Sequence, residues 1–176
     1  MKKNIITHGL ISGFIVATLM LISMNYFSHC EGKVDLTTSM LIGYASMLLS
    51  FSLIFVGIRN YRDQYNNGLI SFGKSFKIGI MIALIASTMY VIAWLIYYYN
   101  FAPDFMEKFE AQQLADLKAG GANQVEIANH IKEANDFADM YKNPFFNAIM
   151  TYMEILPVGL LVTLISSLIL KRKVAH

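Results

Sequence analysis

A chain of 176 residues is long enough for one domain, yet 56% of its residues are hydrophobic and only 15% are charged, against roughly 25% charged in a typical soluble chain. The net charge of +2, carried by basic residues in short clusters, excludes the broad basic face of a nucleic-acid binder. A single cysteine, Cys30, leaves no intramolecular disulfide to form and says nothing about redox compartment.

The charges are segregated. None lies between Lys3 and Glu31, between Asp35 and Arg59, or between Lys77 and Asp104, and Lys142 to Lys171 encloses one, Glu154. A bilayer needs about 20 apolar residues per helix, at about 1.5 Å rise across about 30 Å of hydrocarbon. Each stretch suffices, whereas a soluble protein would interrupt such runs with charge every turn or two. The expected fold is all-α: an integral membrane four-helix bundle with spans at about 4–28, 36–58, 75–101 and 144–170. The bilayer is its one certain partner.

The first span begins like a secretory signal, with Met1-Lys2-Lys3 before an apolar run. That run reaches Phe27, beyond the usual 7–15 residues, and no small-x-small cleavage site follows. Histidine before Cys30 argues against a lipoprotein site, so the segment is expected to stay as a spanning helix. His8 sits at its edge and reads as an interfacial hydrogen-bonder. His29, Cys30 and Glu31 cluster at its far end, but three adjacent side chains cannot face one ion, and neither metal nor cofactor is expected.

After the second span comes Asn66-Asn67-Gly68, a turn signal, and then Leu69-Ile70-Ser71-Phe72-Gly73-Lys74 leading into the third. These glycines match no phosphate-loop or dinucleotide fingerprint. Between the third and fourth spans lies a soluble stretch, about 102–143. Pro103 suits a helix start, and Phe105, Phe109 and Leu117 recur at helical spacing. Gly120-Gly121 breaks the pattern. Asn123 with Glu126 three residues on reads as a capping box, with Val125, Ala128, Ile131 and Ala138 along one face of the helix it starts. The expectation is a helical hairpin outside the cytoplasm.

Lysine and arginine in the flanks set orientation. Lys2, Lys3, Arg59, Arg62, Lys74, Lys77, Lys171, Arg172 and Lys173 share one side, while Lys33 and the 102–143 stretch, with four lysines against eight acids, lie on the other. The richer side is the cytoplasm, so both termini are cytoplasmic. Tyr26, Phe27, Tyr97 to Tyr99, Phe101, Tyr141, Phe145 and Phe146 collect at the opposite interface.

Spanning helices associate through close backbone approach and hydrogen bonds, because lipid is as apolar as leucine. Small residues at four-residue spacing mark such contacts: Gly9, Gly13 and Ala17; Gly79, Ala83 and Ser87; Gly159, Thr163 and Ser167. Glu154 lies about ten residues, hence about 15 Å, inside the last span. An ionised carboxylate there costs at least about 2.5–3 kcal/mol, so it is expected to face the bundle interior as the neutral acid. Partners of matching depth are Thr18, Ser46 or Tyr44, and Tyr90 or Ser87. Pro157 cannot donate to the Met153 carbonyl and should kink the helix.

Several of these residues together resemble a known family. The Asn66-Asn67-Gly68 turn, Ile70-Ser71-Phe72-Gly73-Lys74 entering Phe76-Lys77-Ile78-Gly79, the Tyr90 to Trp94 segment, and Glu154 with Pro157-Val158-Gly159 resemble the uncharacterised domain-of-unknown-function family 4199. The resemblance implies a four-helix inner-membrane protein of a Gram-negative bacterium and supplies no activity. No paired acids, Ser-His or Cys-His arrangement or histidine pair at helical spacing occurs within the spans, so no enzyme and no catalytic residue is expected. The leading expectation is a structural or accessory membrane protein, with a homo-oligomer or a membrane-protein partner open. The rival is a small oligomeric proton- or ion-coupled carrier or channel using Glu154.

Overall fold

A computed structural model describes residues 1–29 and 36–172, giving the backbone alone for 27–29 and 36. The expectations placed on Cys30, Glu31, Lys33 and Lys173, and on the His29 and Phe27 side chains, lie outside the described residues. Among the described residues the chain is all-α, in chain order α1 (Lys2–His29), α2 (Leu36–Tyr65), α3 (Phe72–Phe101), α4 (Phe105–Ala119), α5 (Gln124–Tyr141) and α6 (Pro144–Leu170). Four of them, α1, α2, α3 and α6, are long and apolar enough to cross a membrane. The helix α2 runs to Tyr65, past the charge at Arg59 that marks the end of its apolar span. A charge ends an apolar run but does not end a helix: Arg59 pairs with Asp63 one turn on, at 3.6 Å. What stops α2 is backbone geometry, since Asn67 and Gly68 both take positive φ, 49° and 75°.

The chain divides into two compact units. The first comprises Met1–Ala93 and Tyr152–His176. Its helices meet where side chains vanish. A Cβ on Gly9 would lie 2.8 Å from the Ile85 Cβ, and one on Gly13 would lie 3.1 Å from the Ala86 Cα. The first helix therefore lies backbone-close to α3. A Cβ on Gly79 would lie 2.5 Å from the Thr163 Cγ2, and one on Gly159 would lie 3.0 Å from the Ala83 Cβ. Two small-residue stripes thus pair with each other, antiparallel, between α3 and α6. Gly57 was not singled out in the sequence, yet a Cβ there would lie 2.6 Å from Ile82 and 3.2 Å from the His8 ring. Around these contacts Ile5, Val16, Phe51, Ile54, Ile58, Ile78, Ile82 and Ile155 are buried.

At one end of this unit the segment after α2 is tied to the segment after α6. The Ile70 amide donates to the Arg172 carbonyl at 3.1 Å and the Arg172 amide returns to the Ile70 carbonyl at 2.9 Å. The turn itself is braced by Asn66, whose amide donates to the Leu69 carbonyl and whose carbonyl accepts from Lys74 Nζ at 3.0 Å. Lys74 also lies 5.0 Å above the centre of the Tyr61 ring.

The second unit is Trp94–Thr151. It contains the hairpin of α4 and α5, joined through Gly121 at φ 83°. Asn123 caps α5 as expected: its side chain accepts from the Val125 and Glu126 amides, and the Glu126 carboxylate accepts from the Asn123 amide at 2.9 Å. The apolar face of α5 is only in part the expected one. Ala138 is sheltered, but Val125, Ala128 and Ile131 are exposed, and the stripe on the packed side is Ile127, His130, Ala134, Phe137 and Tyr141. These follow three- and four-residue steps and include the two rings, which outweigh scattered alanines in choosing the packed side.

Candidate functional site

The polar residues expected at mid-span differ in burial. Ser46, half-buried, donates to the Ile42 carbonyl of its own helix at 2.8 Å. Thr18 is half-buried and Tyr90 is buried. Glu154, expected to face inward, instead has its side chain exposed on the outer side of α6. It makes no hydrogen bond to any described residue. The reason lies in the register of α6. The inward stripe is set by Ile155, Gly159, Thr163, Ser166 and Ser167, all buried. Glu154, one residue before Ile155, is rotated about 100° off that stripe by the helical repeat. Pro157 is exposed on the same outer side as Glu154, and α6 continues unbroken through it.

Buried polarity in the first unit lies elsewhere. Ser12 donates to the Ser50 carbonyl at 2.7 Å, linking α1 to α2, and Ser50 in turn donates to the Ser46 carbonyl at 2.9 Å. Ser87, Thr163 and Ser167 are buried with hydroxyls that meet no partner among the described residues. Their small volume, which allows α3 and α6 to approach, accounts for their place there. On the flank, the Tyr152 hydroxyl donates to Thr88 at 2.7 Å, a further link between α6 and α3. His8 gives its Nδ1 proton to the Asn4 carbonyl at 2.8 Å, so the expected hydrogen bond is made within its own helix.

The second unit holds a network that the sequence reading did not identify. Trp94, the single tryptophan, donates its indole N–H to Asn147 Oδ1 at 3.0 Å and to the Tyr141 hydroxyl at 3.2 Å. Thr151 also reaches Asn147 Oδ1, at 3.3 Å. Asn147 is fully buried and its Nδ2 has no partner among the described residues. The two donors' rings pack on others: Trp94 meets Phe105 edge-on at 5.0 Å, and Tyr141 meets Tyr98 edge-on at 5.5 Å. The available signal was an asparagine in an apolar helix with a threonine four residues on, both on one helix face. Just outside the spans, Lys108 holds the Asp104 carboxyl below its usual range through a side-chain hydrogen bond, and Asp139 raises Lys142 in the same way.

These arrangements offer structural hydrogen bonds and one carboxyl aimed away from the chain's own core. Comparison with curated proteins and with solved structures finds no match. A family model does match, over residues 7–172, and its description is "Protein of unknown function (DUF4199)". With four helices long and apolar enough to span and that match over nearly its whole length, the chain is a multi-pass membrane protein belonging to the DUF4199 family.

Proposed function

We propose that this chain is a non-enzymatic structural or accessory protein of the bacterial inner membrane. Its four spans form a bundle, both termini and the 66–71 turn lie in the cytoplasm, and the α4–α5 hairpin lies in the periplasm. The observation that carries the topology is the reciprocal backbone pair between Ile70 and Arg172. It puts the second loop and the exit of α6 at one end, the end that also gathers Arg59, Arg62, Lys74, Lys77 and Lys171. Basic flanks stay cytoplasmic. The accessory role is supported by close, small-residue packing of α1 and α6 on α3, which suits a rigid membrane element. Reporter fusions test the topology. A fusion after His176 or near Asn67 is expected to read as cytoplasmic and one near Gly120 as periplasmic, and a cytoplasmic signal at Gly120 would overturn the orientation.

One observation favours a second reading, an oligomeric proton- or ion-coupled carrier. Glu154 sits on the outer side of a spanning helix, where a transport site could be completed only by a neighbouring chain. Proton uptake by vesicles containing the purified protein, abolished by Glu154→Gln, is the result that reading requires. Vesicles no leakier than protein-free ones would remove it.

A further inference from the structure

The outer side of α6 carries Glu154, Pro157, Leu161, Leu164 and Leu168, all exposed. Their steps are three, four, three and four residues, the spacing of the seam by which helices supercoil around one another. The other spanning helices present different outer faces. The first helix shows Ile6, Leu10, Phe14 and Ile22, all apolar. The exposed hydroxyls of Ser52 and Thr88 are already bonded to the carbonyls of Leu49 and Leu84 in their own helices. Among the described residues, Glu154 is the one carboxyl on a lateral face well inside a span, and no described residue bonds it. Lipid chains cannot supply a partner either.

We propose that this face is covered by a second copy of the chain, α6 against α6, with the two Glu154 carboxyls bonded to each other. All copies insert into the membrane the same way, so the two-fold axis of a pair stands along the membrane normal. A residue near that axis then meets its own counterpart at its own depth. A neutral carboxyl is both donor and acceptor: each O–H donates to the carbonyl oxygen of the other, and both groups are satisfied. A foreign helix would have to place a matching group at that depth, whereas symmetry places one automatically. A single polar group in an otherwise apolar seam also fixes register and the number of strands. The inference rests on the spanning topology only in that all copies insert one way. Reporter fusions test the insertion and cross-linking tests the pairing, so either can fail alone.

The experiment uses the full chain in native membranes with Cys30→Ser as background. Under oxidant, Leu161→Cys and Leu168→Cys are expected to give a disulfide-linked dimer at least about tenfold faster than Leu48→Cys on the outer side of α2, because only the seam positions face each other. In detergent, sedimentation of Glu154→Gln should show dimerisation near that of the unchanged chain, since paired amides reproduce the two hydrogen bonds. Glu154→Leu should weaken it by about three- to twentyfold, the range for a hydrogen bond between membrane helices. Melting of the dilute monomer should be unmoved by either change, which separates association from folding. Equal cross-linking at Leu48 and Leu161, cross-links from Leu161 to another protein only, or a Glu154→Leu chain that dimerises as before would each overturn the proposal.

Discussion

The unit of Met1–Ala93 and Tyr152–His176 and the unit of Trp94–Thr151 are held together by opposite means. In the first, contact is made by removing atoms: at Gly9, Gly13 and Gly79 a single added carbon would force a neighbour to shift, and at Gly57 and Gly159 it would sit tightly against one. In the second, contact is made by adding them: Trp94, Tyr98, Phe105, Phe137, Tyr141 and Phe146 fill space with rings, and Asn147 ties the indole down. The difference follows from the surroundings. Inside a bilayer no hydrophobic force brings apolar helices together, so only close backbone approach and hydrogen bonds are left. Near and beyond the interface water returns, and large rings with one polar edge gain from burial.

That contrast can be broken from either side. The largest effect should come from bulk at a closed contact. Gly13→Leu must displace the Ala86 backbone, 3.1 Å from the new Cβ, and is expected to cost about 2–3 kcal/mol or prevent folding. Gly43→Leu, with nothing within 4 Å, should melt in detergent like the unchanged chain. If the two variants melt together, close packing is not what holds the first unit. In the second unit, Asn147→Leu leaves the buried indole N–H with only its longer bond to the Tyr141 hydroxyl, at 3.2 Å, and should cost about 1 kcal/mol. Because Trp94 is the single tryptophan, its fluorescence reports the loss directly, and unaltered emission and melting would show the amide to be dispensable. The smallest effect is at the hairpin. Asn123→Ala removes the acceptor of the Val125 and Glu126 amides, worth about 1 kcal/mol. Amide exchange should quicken in the first turn of α5 while α1 and α2 are unaffected, and uniform quickening would mean that the two units do not melt separately.

Much of this architecture was legible because the membrane writes in long strokes. Three uncharged runs and a fourth broken only by Glu154 locate the candidate spanning helices, and Asn123 with Glu126 locates the start of α5, where local chemistry alone decides the geometry. The end of α2 was misjudged because hydropathy registers the edge of an apolar span, while the helix continues on its i,i+4 ion pair until Asn67 and Gly68 turn it. Most of the packed side of α5 escapes the apolar pattern, because Phe137 and Tyr141 lie on it while Val125 and Ile131 are exposed. Glu154 was harder. Cost alone says that a membrane carboxyl must be satisfied, but not whether the satisfying group belongs to the same chain. The direction depends on a rotation of about 100° per residue around α6, and that is fixed by where Gly159 meets Ala83 and Thr163 meets Gly79. Neither pairing can be read from one helix by itself. The Trp94–Asn147 contact joins residues far apart in sequence, and the asparagine with Thr151 four residues on marks a polar face without naming the indole as its partner.

The clasp between Ile70 and Arg172 has a consequence for how the molecule is made. Its two strands of backbone lie about a hundred residues apart, so closing it carries a loop-entropy cost that local turns avoid. A chain synthesised from its amino end has Ile70 in place long before Arg172 exists. The bond can form only after α3, α4, α5 and α6 have all been made. It is therefore a latch that engages only on a chain in which α6 has been made in full. A truncated or mis-inserted α6 leaves the Ile70 amide open to water and to proteases, so the same two hydrogen bonds that finish the fold also mark the copies in which it was never finished.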